Sequence, residues 1–174
     1  MNPFWTLRTA RLVLTPVGWA DLADLQALKA DPLVFAMMLG GVRTPVRAAG
    51  DLAEDVAFWA KRGFGMWTVR EARTGGFVGL AGLMERADGR GVALRFAVRA
   101  ALQGHGLARE AAGAALRFGH EGAGLARIIA VARESNFASR IVLGGIGMGV
   151  CETFVRDGHQ MTVYESRRRA PPEG

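Results

Sequence analysis

Cysteine is nearly missing from this 174-residue chain: Cys151 is the only one. A lone thiol cannot close an intramolecular disulfide, and no Cys/His grouping has the spacing of a structural zinc site, so neither crosslinks nor a metal is expected. Such usage points to a reducing compartment, and a cytoplasmic protein is expected. Long apolar runs are lacking too. No stretch approaches the roughly 20 residues that span a bilayer, and Met1–Arg11 has none of the uninterrupted apolar character of a signal peptide, so no membrane partner is expected. Lysine is scarce as well. Of 22 basic residues only Lys29 and Lys61 are lysines, and the arginines are scattered along the whole chain. The net charge of +6 therefore forms no basic stripe of the kind a groove binder shows, although its field favours an anionic ligand.

What is present suffices for one core. Half of the residues are hydrophobic, and no low-complexity tract interrupts them before the C-terminal end. One domain over residues 1–166 is expected, followed by a disordered basic tail over 167–174, where three arginines precede Ala-Pro-Pro-Glu-Gly.

Leu7–Val17 reads as a strand stopped at Pro16. Trp19–Ala30 spaces Leu22, Leu25 and Leu28 about one helical turn apart, and Asp31-Pro32 ends that helix because a residue before proline avoids the helical region. Thr44-Pro45, a cap followed by proline at the first position, opens a second helix through Leu52, Val56 and Trp59 to a stop at Gly63. Three strands follow, Gly65–Glu71, Phe77–Glu85 and Val92–Val98, separated by glycine-bearing turns and so antiparallel neighbours. Leu107–Glu121 carries Leu107, Ala111, Ala115 and Phe118 at helical spacing. Arg127–Ala132 reads as a buried strand, and Asn136–Leu143 as a helix weakened at Gly144-Gly145. Cys151–Arg156 and His159–Glu165 pair through Asp157-Gly158, a strong hairpin signal. The class is α+β with a mixed sheet.

Gln103-Gly104-His105-Gly106-Leu107-Ala108 lies between a strand and a helix, where free amides and the positive helix end favour a phosphate or pyrophosphate. An ordinary glycine turn before a helix is the other reading. A P-loop is excluded, because no Gly-Lys-Ser/Thr triplet ends the segment. The dinucleotide fingerprint would need a third glycine where Arg109 stands, although Glu134 could imitate its ribose-binding acid.

Val98–Ala108 resembles the acetyl-CoA signature of the GNAT superfamily, Arg/Gln-x-x-Gly-x-Gly/Ala, through Gln103, Gly106 and Ala108. Asn136-Phe137-Ala138-Ser139-Arg140 is similar to the Asn-x-x-Ser that opens the next helix of that family, and Ile146-Gly147-Met148 to the segment that closes it. Leu7–Leu14 resembles the Leu-x-Thr-x-Arg-Leu-x-Leu strand of its ribosomal-protein alanine acetyltransferase branch. The resemblance covers nearly the whole chain, in order. It implies a layered α/β/α fold with a mostly antiparallel central sheet and helices on both faces. It also implies an enzyme that moves acetyl from the co-substrate acetyl-CoA to a primary amine, a small molecule or a protein N-terminus, by direct attack without a metal; a homodimer is compatible with it.

The site residues follow from the resemblance. Main chain at Phe96, Ala97 and Val98 pairs with the pantetheine arm, and an amide near Phe96 or Ala97 holds the oxyanion. Amides of Gln103, Gly104, His105, Gly106, Leu107 and Ala108 hold the pyrophosphate. Asn136 bonds the pantetheine arm, caps its helix, or does both. Ser139 is the candidate hydroxyl beside the departing sulfur, or a plain helix-surface residue. The sequence also departs from the family pattern. Ala100 replaces a common proline, Val92–Leu94 lacks the usual strand carboxylate, and Leu143 stands where many relatives have tyrosine. Glu85 or Asp88 is left as base, or as a solvated turn residue; Tyr164, the only tyrosine, reads as hairpin packing before thiolate protonator. Met37 and Met38 line an acceptor pocket or fill gaps, Trp59 and Trp67 belong to the core, and His120 and His159 show no partner. Two rival classes stay open, an acyl-CoA-binding module without turnover and a basic nucleic-acid-binding protein.

Overall fold

The computed structural model of the protein describes residues 2–168: Arg167, expected to open the disordered tail, instead ends the last strand opposite Arg127, and from Arg169 on the expected tail lies outside the described residues. In chain order the strands are β1 (Leu7–Arg8), β2 (Leu12–Pro16), β3 (Met66–Glu71), β4 (Phe77–Glu85), β5 (Val92–Val98), β6 (Arg127–Arg133), β7 (Gly149–Arg156) and β8 (His159–Arg167). The helices are α1 (Leu22–Ala30), α2 (Pro32–Phe35), α3 (Pro45–Arg62), α4 (Leu107–Glu121) and α5 (Phe137–Gly145). One sheet of eight strands results, ordered β1-β2-β3-β4-β5-β6-β8-β7. Every neighbouring pair is antiparallel except β5 and β6.

Seven consecutive residues of β4, Phe77 to Leu83, are buried, which requires cover on both faces. On one face lies α4. A Cβ on Gly119 would come within 2.5 Å of Ile128 and 2.8 Å of Leu83, so only glycine lets helix and sheet approach this closely. The opposite layer is α1 on β4 and α2 on β5, with α3 packed on α1. Four aromatic rings bind these parts together: Trp5, Trp59, Trp67 and Phe118 follow one another at 5.0, 4.9 and 5.1 Å between centroids. Both central indoles also donate their N–H groups, Trp59 to the Met66 carbonyl and Trp67 to that of Trp5, each at 2.6 Å. Burial of a ring such as Trp67 is worth about 3–5 kcal/mol against alanine.

Local signals explain the element ends. Thr44 Oγ1 accepts from the Arg47 amide at 3.2 Å, Pro45 takes the first helical position, and Gly63 closes α3 at φ +70°. Asp157 and Gly158 both have positive φ, +50° and +74°, the signature of a two-residue hairpin turn.

Three readings need correction. Leu7–Val17 is not one strand: Thr9 exchanges two hydrogen bonds with Leu12, at 2.9 and 3.0 Å, and turns β1 back onto β2 with Leu7 opposite Leu14. A turn held by a hydroxyl carries no glycine or proline to mark it. Pro32, which ends α1, also starts α2, because Asp31 caps the Leu33 amide at 2.9 Å. And α5 runs on through Gly144-Gly145. Among the described residues no helix is long and apolar enough to cross a membrane.

Candidate functional site

The sheet opens at its one parallel junction. β4 follows β5 from Val92 to Val98, but β6 meets β5 at a single register point, Ala93 opposite Ile129. Past that point the two strands part. The Arg99 amide donates to the Val78 carbonyl at 2.9 Å, so alternation turns the main chain of Ala97 towards β4 and that of Phe96 and Val98 into the gap. Glycine at position 79 reflects the same approach, since a Cβ there would lie 2.0 Å from the Ala97 carbonyl oxygen. Ala97 therefore drops out of the expected set, its main chain being occupied by β4. The Val98 carbonyl accepts from Gln103 Nε2 at 3.1 Å, which ties the end of β5 to the loop beyond.

That loop has the form an anion needs. After a short 3-10 turn, Ala100–Leu102, the Gln103 amide already donates to the Ala100 carbonyl at 3.3 Å. Gln103 thus contributes its side chain and not its amide. The amides of Gly104, His105, Gly106, Leu107 and Ala108 meet no acceptor among the described residues. Gly104 and Gly106 adopt φ of +81° and +77°, and no side chain caps α4 at Gly106. Five free amides at an uncapped helix start form a positive, hydrogen-bonding cup.

A brace reaches this cup from the β1–β2 turn. Arg11 Nη1 donates to the His105 carbonyl at 2.8 Å, while its amide and Nε donate to Glu110 at 2.8 and 2.7 Å. Thr9 Oγ1 adds a bond of 2.5 Å to the same carboxylate. Partial burial works against ionising Glu110, but the bonds from Thr9 and Arg11 outweigh it and hold the carboxyl below the usual range. Arg11 is visible in sequence only as a letter of the opening motif. His105 turns its ring to the Leu102 carbonyl at 3.2 Å.

The gap leads into a cavity of about 110 Å³. Phe96 from β5 and Ala130–Arg133 from β6 form its walls, with Asn136, Ser139 and Leu143 from α5 and its cap. Met37 and Met38 close it from the loop after α2; Arg156, Asp157, His159 and Met161 enter from the β7–β8 hairpin. Asn136 Oδ1 accepts from the Ser139 amide at 3.2 Å, so its capping role is occupied while its side chain also lines the cavity. Leu143, the buried residue of α5, adds an aliphatic wall to the cavity.

Several expected residues lie elsewhere. Glu85 is bound to Arg62 and does not line the cavity, because β4 delivers it to the end of α3. Asp88 is held by Arg86 against slight desolvation, helped by the Arg90 amide, which pulls it down to about 2. Neither is a ready base. Tyr164 is buried, and its hydroxyl accepts from Arg140 Nε at 3.2 Å outside the cavity lining. In the helical layer facing β5, burial pushes Asp55 up to about 6 despite Lys29 and Arg95 nearby. Arg95 keeps solvent contact but is desolvated below the usual arginine range, with Arg86 repelling it. The titratable groups that do line the cavity come from three segments, Arg86 from the β4–β5 turn, Arg133 from β6, and Arg156, Asp157 and His159 from the β7–β8 hairpin, and nothing in the spacing between those segments announces that they meet.

Comparison with known proteins adds an independent line. The sequence model of the acetyltransferase (GNAT) domain matches residues 11–149. Among curated proteins, an FsC-acetyl coenzyme A-N(2)-transacetylase from Aspergillus fumigatus is 32% identical over 163 residues, covering 86% of this chain and 67% of its own length. An acetyltransferase from Agrobacterium tumefaciens superposes with a TM-score of 0.82 at 26% identity, over 93% of this chain and 94% of that one. A GNAT-family acetyltransferase from Bacillus anthracis shares the fold with a TM-score of 0.82 at 19% identity, over 94% of this chain and 98% of the other.

Proposed function

This chain belongs to the GNAT acetyltransferase family, and from that premise we propose that it moves the acetyl group of acetyl-CoA to a primary amine by direct attack. It is an acetyl-CoA-dependent N-acetyltransferase. The observation that carries the reading is the cup of five unpaired amides, Gly104 to Ala108, at the mouth of the split between β5 and β6. A pyrophosphate fits the cup, and an extended amide-bearing arm fits the strand edge left open by Phe96 and the Val98 amide. The curated relative, whose name states N(2)-acetyl transfer from acetyl coenzyme A, agrees with that donor. The two rivals, a silent acyl-CoA module and a nucleic-acid binder, gain no comparable support.

Acetyl-CoA supplies an activated thioester; the residues of this chain do the rest. The Phe96 amide, turned into the gap, donates to the oxygen that becomes negative when the amine attacks. Asn136 orients the pantetheine arm with the side-chain N–H groups its capping role leaves over. Ser139 donates to the sulfur as the C–S bond breaks. The attacking nitrogen must also lose a proton, and the arginines of the cavity cannot take one. Asp157 is 84% exposed and faces Arg156 at 3.7 Å, which leaves His159 as the base. Glu85, bound to Arg62, has no part in this scheme.

The cavity suits a small amine or the first residue of a peptide. Thr9 and Arg11 of the opening motif serve the loop brace, so that motif says nothing of the acceptor. The test is release of free thiol from acetyl-CoA over a panel of amines, with the N-acetyl product identified by mass. Tight binding of acetyl-CoA without thiol release for any amine would return the chain to the silent-module class.

A further inference from the structure

We propose that the acceptor amine carries an anionic group, a carboxylate or a phosphate, held by Arg133 and Arg156. This rests on the reading that the cavity is where amine and thioester meet. Three arginines line it, Arg86, Arg133 and Arg156, against the one carboxylate of Asp157. Their commitments differ. Arg86 is 7% exposed in its side chain and grips Asp88 through Nε and Nη2 at 3.0 and 2.5 Å, so it is a structural pair. Arg133 forms no ion pair among the described residues, and Arg156 has only the 3.7 Å approach to Asp157, too long and too exposed to satisfy a guanidinium. Two forked cations are therefore uncommitted in one small recess.

The carboxylates of neighbouring elements are paired elsewhere, and Glu134, the exposed chain neighbour of Arg133, makes no ion pair with it among the described residues. Asp51 is taken by Lys29 and Arg43 at 3.1 and 3.2 Å, Glu152 by Arg90 at 2.8 Å, and Glu165 by Arg127 at 2.8 Å. Asp55 faces Lys29 and Arg95, and Arg95 adds its own charge beside Arg86. A guanidinium without a carboxylate partner in a concave, partly apolar site recognises planar or tetrahedral oxyanions through paired N–H bonds. The same field disfavours acceptors whose remaining charge is positive. Arg156 also stands opposite His159 across the hairpin, so an oxyanion held there places the other end of a short amine near the base.

The experiment titrates the CoA-loaded protein calorimetrically with aliphatic amines of graded length, each as its carboxylate, its carboxamide and its phosphate ester; β-alanine, β-alaninamide and phosphoethanolamine are the shortest set. The anionic member is expected to bind roughly tenfold to a hundredfold more tightly than the amide. That ratio should shrink in Arg133→Gln and in Arg156→Gln, the second lying on an exposed hairpin where folding is not at stake. Carboxylate against phosphate identifies the oxyanion. Equal binding of acid and amide at every length, absence of binding by every anionic member, or an acid preference that survives both substitutions would overturn the proposal. Thiol release is followed in parallel on the same amines and variants with acetyl-CoA in place of CoA, so that anion-selective binding without transfer refutes the catalytic reading and leaves this one standing.

Discussion

Gly106→Val tests the amide cup at its most constrained point. Gly106 sits at φ +77°, a region that costs a residue with a side chain roughly 1–2 kcal/mol, and more for a β-branched one. A Cβ there would lie 3.4 Å from Arg11 Nη2, an ordinary van der Waals contact that leaves the bonds of Arg11 to His105 and Glu110 in place. The folding cost is therefore about 2–3 kcal/mol, against typical stabilities of roughly 5–15, and the variant should stay folded. Binding suffers more. A charge-assisted hydrogen bond contributes about 1.5–3 kcal/mol, and an isopropyl group that lifts the phosphates off two amides removes about 3–6 kcal/mol, or roughly a hundredfold to ten-thousandfold in affinity. Isothermal titration with acetyl-CoA measures the loss, and a thermal melt verifies folding. Gly89→Val is the control, because Gly89 has φ +74° with nothing near its Cβ and lies in the β4–β5 turn away from the cup. Unchanged affinity in folded Gly106→Val, or an equal loss in Gly89→Val, would refute the reasoning.

Further outcomes follow from the same geometry. Ser139→Ala should lower turnover roughly tenfold to a hundredfold, about 1.4–2.7 kcal/mol, at unchanged acetyl-CoA affinity, because the thiol, with a pKa of about 8.5, needs little acid help; Tyr164→Phe should cost only the Arg140 bond and leave kcat nearly intact. His159→Gln should reduce kcat/KM by at least about a hundredfold in steady-state assays across amines while acetyl-CoA binding persists. Asp55 titrates near 6 in the folded chain against an ordinary value of 3.8, so its favourable contribution is complete below pH 4 and is lost as pH rises through 6, by about 3 kcal/mol. Denaturant melts of Asp55→Asn should therefore gain about that much on wild type between pH 4 and pH 7, and parallel curves would contradict the burial argument.

The fold was legible wherever local chemistry agreed with tertiary need. Thr44-Pro45 and Gly63 bracket α3, and Asp157-Gly158 makes the last hairpin, because capping and turn geometry are decided within a few residues. The β1–β2 turn was hidden because Thr9 replaces the usual turn residues with a hydroxyl bond to Leu12. At the site, Gly104–Ala108 could be read as an anion loop because strand, glycines and helix are contiguous there. Strand alternation was equally accessible in principle, but its phase at Phe96 and Ala97 is set by pairing with β4, which lies outside the motif. Arg133, Arg156 and His159 could not be found, since each is an ordinary strand-end residue until β6 and the β7–β8 hairpin bring them to one cavity.

The placement of that cavity follows from an incomplete ladder in the sheet. A central strand normally commits its amides and carbonyls to both neighbours, and β5 does so to β4 throughout but to β6 only around Ala93. Past that point the Phe96 main chain and the Val98 amide face the gap, while the Val98 carbonyl is taken by Gln103 Nε2. An extended ligand completes the missing ladder with bonds that are already oriented, so little reorganisation accompanies binding. The cup at Gly104–Ala108 stands beyond the end of β5, and Arg133 of β6 and Arg156 of the hairpin lie at the cavity. In the proposed reading donor and acceptor therefore enter from different sides and meet beside Phe96, whose amide is turned into the gap between them.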